Sequence, residues 1–233
     1  MKKIGLIGGL GPEATIDYYK GIINIFKAVS QELNYPEIVI YSVNMSVFLD
    51  MLKTKEYEKA TGYLLNKLEA LSAAGCEFAA LTANTPHLLY DQLAEKSPIP
   101  LISIVESTCD EALKQGLSRP GLIGTSFTMR STFYANVFQR KGIDMVIPND
   151  AEMEQINHKL FTEIELGIFK EETKQMLIDI ISEMVSRDSI DSIILGCTEF
   201  PLILADETYA GIPVLNTTKI QIDTIVKYCI NNQ

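Results

Sequence analysis

The chain has 233 residues, 47% of them hydrophobic and 21% charged, the balance of a globular protein able to bury a full core. Its 20 Lys and Arg against 30 Asp and Glu leave a formal net charge of −10. That charge excludes the broad basic face that a nucleic-acid backbone or an anionic membrane selects, while a small anionic ligand needs only a local field.

Lys3–Gly8 reads as a buried strand running into the turn Gly8-Gly9-Leu10-Gly11-Pro12. Pro12 suits the first turn of a helix that should reach about Ala28. Glu37–Val43 is a second apolar strand. Apolar residues at helical spacing (Leu64, Leu65, Leu68, Leu71) predict a helix over Glu56–Ala74 that stops at Gly75. Glu77–Leu81 is a strand, and Thr82 to His87 form a polar turn into a helix. Pro100–Ile104 is a strand, followed by a helix over Glu106–Gln115. Further strands are predicted at Pro120–Gly124, Asp144–Ile147, Ser192–Gly196 and Pro213–Leu215. Between them lie helices near Thr128–Arg140, Ala151–Leu166, Glu171–Ser186 and Lys219–Ile230. Strands alternating with helices predict parallel sheet in an α/β fold.

The sequence matches itself. Gly5-Leu6-Ile7-Gly8 recurs as Gly121-Leu122-Ile123-Gly124, and Tyr18 falls on Tyr134 at the same offset. Ala79-Ala80-Leu81 with Thr82-Ala83-Asn84-Thr85 matches Ile193-Ile194-Leu195 with Gly196-Cys197-Thr198-Glu199. Ile99-Pro100-Leu101 matches Ile212-Pro213-Val214. Three ordered matches at nearly one offset predict two pseudo-symmetric α/β lobes, 1–98 plus 216–233 and 99–215. Ligands of such sheets bind at carboxyl ends of strands, so the site is expected in a cleft between the lobes.

The four cysteines, Cys76, Cys109, Cys197 and Cys229, have no C-x-x-C spacing, and His87 and His158 are the only histidines. A Cys/His metal site therefore has almost no material, and no metal or other cofactor is expected. The Gly8–Pro12 turn lacks the G-x-G-x-x-G and P-loop patterns of a nucleotide site. No stretch approaches the ~18 apolar residues of a membrane span. The short run Ile4–Leu10 is too glycine-rich for a signal peptide. A cytoplasmic protein with reduced thiols is expected.

Cys197 stands out because it follows a strand end and precedes a helix start. A thiol there is expected to have its pKa lowered by the helix N-terminus and to serve as a base. Gly196 is expected to let substrate approach the backbone. Asn84, Thr85 and Thr198 offer donors for a carboxylate, on which deprotonation at the adjacent carbon builds charge. Asn44, Met45, Thr125, Ser126 and Glu199 complete the candidate contacts. Helix capping is the competing reading for Asn84, Thr85, Thr125 and Ser126. Cys76, Cys109 and Cys229 read as packing residues, and Lys170–Lys174 reads as a solvated charge run. Glu165, on a predicted amphipathic helix, faces either solvent or the site.

Gly8-Gly9-Leu10-Gly11-Pro12-Glu13-Ala14-Thr15 resembles the N-terminal signature of the aspartate/glutamate racemase family. Asn84-Thr85 with His87, and Gly196-Cys197-Thr198-Glu199, are similar to its two active-site motifs, and Gly124-Thr125 with Thr128-Met129 to a further substrate-facing loop. The resemblance implies a cofactor-independent amino-acid racemase of two α/β lobes, a homodimer, in which two cysteines flank Cα and exchange acid and base roles. It puts the first cysteine at position 83, where this chain has Ala83. Thr82 is one residue early, and a one-residue shift turns a side chain to the other face. Some family members carry Lys near Glu165, pairing with a substrate carboxylate that Glu165 would repel. Cys197 alone is also compatible with a decarboxylase or isomerase working through an enediolate, or with a carboxylate-binding protein without turnover.

Overall fold

The computed structural model describes residues 1–29 and 33–230. Residues 30–32 and 231–233 of the expected first lobe lie outside the described residues. The chain divides into two compact units, one of Met1–Ile104 with the chain from Thr218 onward, the other Val105–Thr217. This shifts the expected boundary. The stretch 99–104 belongs to the first unit, and 216–217 to the second.

The first unit runs β1 (Ile4–Gly8), α1 (Pro12–Val29), β2 (Ile38–Ser42), α2 (Met45–Lys53), α3 (Tyr57–Ala73), β3 (Phe78–Leu81), a 3-10 turn Thr85–Leu89, α4 (Tyr90–Lys96) and β4 (Leu101–Ile102). Its sheet has the order β2-β1-β3-β4 with every pair parallel. β1 and β3 are buried along their whole length, which is why they read as continuous apolar runs. β4 pairs with β3, which explains the shifted boundary.

The second unit runs α5 (Ile104–Lys114), β5 (Pro120–Ile123), α6 (Ser126–Arg130), α7 (Phe133–Arg140), α8 (Asp150–Thr162), a 3-10 turn Ile164–Leu166, α9 (Glu171–Asp188), β6 (Ser192–Leu195), α10 (Phe200–Ile203), β7 (Thr208–Tyr209) and β8 (Ile212–Asn216). α11 (Thr217–Ile230) returns the chain to the first unit. The second sheet has the order β5-β6-β8-β7, parallel except for the antiparallel β7.

The two sheets repeat one plan. β1 corresponds to β5, β3 to β6 and β4 to β8. The strand expected at Asp144–Ile147 is reduced to one parallel bridge, Val146 to Gly121, on the edge of β5 that matches the place of β2 beside β1. The repeat pair Tyr18 and Tyr134 are both fully buried. The predicted helix Thr128–Arg140 is two helices, because Ser131 is extended (ψ 152°) and stops α6. The predicted helix Ala151–Leu166 ends at Thr162, and Glu163 opens a separate 3-10 turn. No helix among the described residues is long and apolar enough to cross a membrane.

Candidate active site

The loop after β6 begins where Gly196 N–H donates to the Ile123 carbonyl at 2.7 Å. A Cβ on Gly196 would meet Leu122 Cδ1 at 2.8 Å and Ile123 O at 2.9 Å. Packing against β5 therefore requires glycine at this position. The next residue, Cys197, is buried. Its Sγ lies 2.9 Å from Glu199 Oε2 and 3.7 Å from Glu165 Oε1. Thr198 Oγ1 donates to the same Glu199 oxygen at 2.8 Å.

Two carboxylates beside a buried thiol oppose its ionisation. Burial, then Glu199 and Glu165, push the Cys197 thiol well above its ordinary value. The expected helix effect does not prevail. α10 starts three residues on and has only four residues, so its dipole is small. At neutral pH Cys197 rests as a thiol. Glu165 is half-buried in the 3-10 turn Ile164–Leu166, not on a solvated helix face, and burial and Glu199 push it up to about 7. Neither Glu165 nor Glu199 has a cationic partner among the described residues.

One donor atom from each of Glu165, Cys197 and Glu199 lies within 4.8 Å of the others, so these three residues form a donor set that could hold a cation. Counting Cys and His alone leaves almost no such material. Lys170, expected in a solvated run, is half-exposed but ion-paired to Glu163 at 3.0 Å.

The loop after β3 starts the same way, with Thr82 N–H donating to the Ile7 carbonyl at 3.0 Å. Thr82 thus takes the place of Gly196, and Ala83 that of Cys197. The Thr82 hydroxyl, fully buried, lies 3.2 Å from Ile7 O and 3.4 Å from Thr15 Oγ1. It is turned against β1 and is not positioned as a substitute for a thiol at position 83. Thr15 Oγ1 in turn accepts from Gly9 N–H at 2.9 Å, so the glycine-rich turn folds onto its own helix.

His87 locks this loop. Ile104 N–H donates to Nε2 at 3.0 Å, so the proton sits on Nδ1, which donates to the Ala83 carbonyl at 2.9 Å. Burial lowers the His87 pKa to about 4, and the ring is neutral. Asn84 is buried and makes no side-chain cap, whereas Thr85 is half-buried. In the second unit Thr125 does cap, accepting from Thr128 N–H at 3.1 Å, and Ser126 N–H is taken by Asn157 Oδ1 at 2.8 Å. Asn44 is exposed and caps α2 through Val47 N–H at 3.3 Å, and Met45 is half-buried in the first turn of α2. Cys76, Cys109 and Cys229 are buried, with Cys229 Sγ donating to Lys2 O at 3.2 Å.

The chain matches the family Asp/Glu/Hydantoin racemase over residues 7–225. It is 26% identical over 218 residues to the broad specificity amino-acid racemase RacX of Bacillus subtilis (strain 168), covering 92% of each chain. A solved aspartate racemase homologue from Pyrococcus horikoshii OT3 is 35% identical with TM-score 0.88, over 99% of this chain and 100% of that one. The aspartate racemase of Picrophilus torridus shares the fold at 20% identity and TM-score 0.73, over 97% of this chain and 94% of the other.

Proposed function

The chain belongs to the Asp/Glu/Hydantoin racemase family, and from that premise we propose that it moves a proton at Cα of an amino acid through Cys197, without a cofactor. The observation that carries this reading is the Cys197 thiol at the end of β6, held between Glu199 and Glu165. In the base direction, Glu199 takes the thiol proton and the sulfur then takes the Cα proton. The C–H electron pair moves into the substrate carboxylate, forming an enediolate. Return of a proton from sulfur to Cα reverses the step.

Racemisation needs a donor on each face of Cα, and Ala83 supplies none. Cys197 therefore works on one face, and water or slow exchange serves the other. Asn84, Thr85, Thr198 and the Thr125–Ser126 loop are candidate substrate contacts. With Glu165 and Glu199 beside the thiol and no cation among the described residues paired to either, the site favours neutral or cationic side chains over dicarboxylates. The family resemblance supports a homodimer, which sedimentation would test.

The resting thiol supports a second reading. A protonated Cys197 is already the acid that a single-cysteine decarboxylase needs to quench an enediolate. Turnover in D₂O separates the two. A racemase returns amino acid deuterated at Cα with loss of chirality. A decarboxylase releases CO₂ and a deuterated product. Ligand-dependent stabilisation with neither would leave a binding protein.

A further inference from the structure

The turn that carries Glu165 has three residues and a single hydrogen bond closing it from within, Gly167 N–H to the Ile164 carbonyl at 3.0 Å. Glu163 ties it down. The buried Glu163 carboxylate accepts from Lys159 Nζ at 2.7 Å, Lys170 Nζ at 3.0 Å and Thr173 Oγ1. Its N–H donates to Lys159 O, and its carbonyl accepts from Leu166 N–H at 3.0 Å and Ile168 N–H at 2.9 Å. One residue therefore joins the last turn of α8, the segment 164–168 and the first turn of α9. The three donors hold the Glu163 carboxyl down at about 2, so it is ionised at any working pH. Two residues on, Glu165 has no cationic partner among the described residues and reaches Cys197.

We propose that Glu163 is a positioning residue for the Cys197 centre: the turn it anchors holds the Glu165 carboxylate against the thiol. Its consequence for turnover rests on Cys197 acting as an acid–base group, but the positioning itself does not. The groups that set the Cys197 thiol are Glu165 and Glu199; those that set Glu163 are Lys159, Lys170 and Thr173.

The test is the pH dependence of Cys197 alkylation by iodoacetamide, followed by mass spectrometry on the full chain. Removing the Glu165 charge should lower the thiol midpoint, so Glu165→Gln should alkylate several-fold faster at pH 8, because the thiolate is the reacting form. Glu163→Gln should move the profile the same way, and the double variant no further than Glu165→Gln alone. An unchanged profile in Glu163→Gln, or effects that multiply in the double variant, would overturn the proposal. Should Glu163→Gln fail to fold, Lys170→Met decides. It removes one contact from a half-exposed lysine and should give a smaller shift that vanishes in the Glu165→Gln background; no shift, or one that persists there, overturns the proposal. A racemisation assay on the unmodified protein runs beside these. Its failure would sink the catalytic reading and leave the alkylation result standing.

Discussion

After β3 the chain runs Thr82-Ala83-Asn84-Thr85, and after β6 it runs Gly196-Cys197-Thr198-Glu199. Both loops start with an N–H returned to the neighbouring strand, from Thr82 to Ile7 and from Gly196 to Ile123. Beyond that they diverge. The first loop is closed by a neutral histidine that spans the Ala83 carbonyl and Ile104 N–H. The second gathers a thiol and two carboxylates, neither paired to a cation among the described residues. One loop is tied down by a neutral ring, and the other holds a thiol and a carboxyl, Cys197 and Glu165, whose ionisation burial opposes. A duplicated scaffold thus keeps its backbone plan while the thiol and its two carboxylates gather on one copy.

The largest expected effect comes from removing the thiol. Cys197→Ala should lower proton transfer at Cα by ~10²–10⁴-fold, the usual contribution of a placed acid or base. Cys197 packs in the core of the second unit, so the loss of its sulfur should cost stability only about 1 kcal/mol. Turnover and urea unfolding of the same preparation check both halves. Retained turnover in a folded variant would move the chemistry elsewhere.

Restoring symmetry is the converse experiment. Ala83→Cys should raise racemisation by a large part of the same ~10²–10⁴-fold, provided the sulfur occupies the place Cys197 holds in its own loop. Chiral chromatography of several L- and D-amino acids with both proteins is the assay. Equal, fast rates in both directions for the Ala83 form would show that the second donor lies elsewhere. No gain on any amino acid would favour the decarboxylase or binding readings.

The asymmetry was half legible in the sequence. Ala83 against Cys197 is visible in the repeat, because buried parallel strands of both sheets read as apolar runs of matched spacing. So was the distinction between Thr82 and its neighbour, since alternation along an extended chain decides facing. The lock and the anchor were not. His87 acts through Ile104, seventeen residues away, and Glu163 through Thr173, ten away, neither at a helical or strand repeat. The acid–thiol centre needed Glu165, thirty-two residues from Cys197, to be brought in by a turn that periodicity had merged into a helix. α2 was missed although Asn44 caps it and Phe48, Met51 and Leu52 are buried at helical spacing. The β7–β8 hairpin hides in the left-handed pair Ala210 (φ 49°) and Gly211 (φ 80°), where only the glycine gave a signal.

A third, smaller effect separates the loops by pH. His87 titrates near 4 in the fold against 6.5 outside it, so its contribution is full above about 6.5 and is lost as pH falls through 4. The total is about 3 kcal/mol at most. Glu165 runs oppositely: with its pKa raised to about 7, its contribution is full below 4.5 and is lost as pH rises through 7. Urea unfolding between pH 4 and 8 should therefore show a flatter acid limb in His87→Gln, and a gain above pH 7 relative to pH 5 in Glu165→Gln. Slopes identical to the parent protein in either variant would mean that the group is not buried as described.

The finest discrimination concerns charge at the second loop. Glu165 and Glu199 together should repel a side-chain carboxylate brought near Cys197, and no cation among the described residues is paired with either. Glu165→Lys should reverse the sign at a half-buried position. A charge pair closed in a partly wet site is worth about 1–2 kcal/mol, so affinity for aspartate or glutamate should rise about tenfold and that for lysine or ornithine should fall. The same variant should bring the Cys197 thiol down, because a cation then stands where a carboxylate raised it, and alkylation at pH 8 should quicken in step. The two readouts are independent. Faster alkylation with unchanged amino-acid affinity would keep Glu165 beside the thiol but take it away from the substrate side chain. Neither change would put the lysine in solvent, and the acidic character of this loop would then have no bearing on which amino acid it accepts.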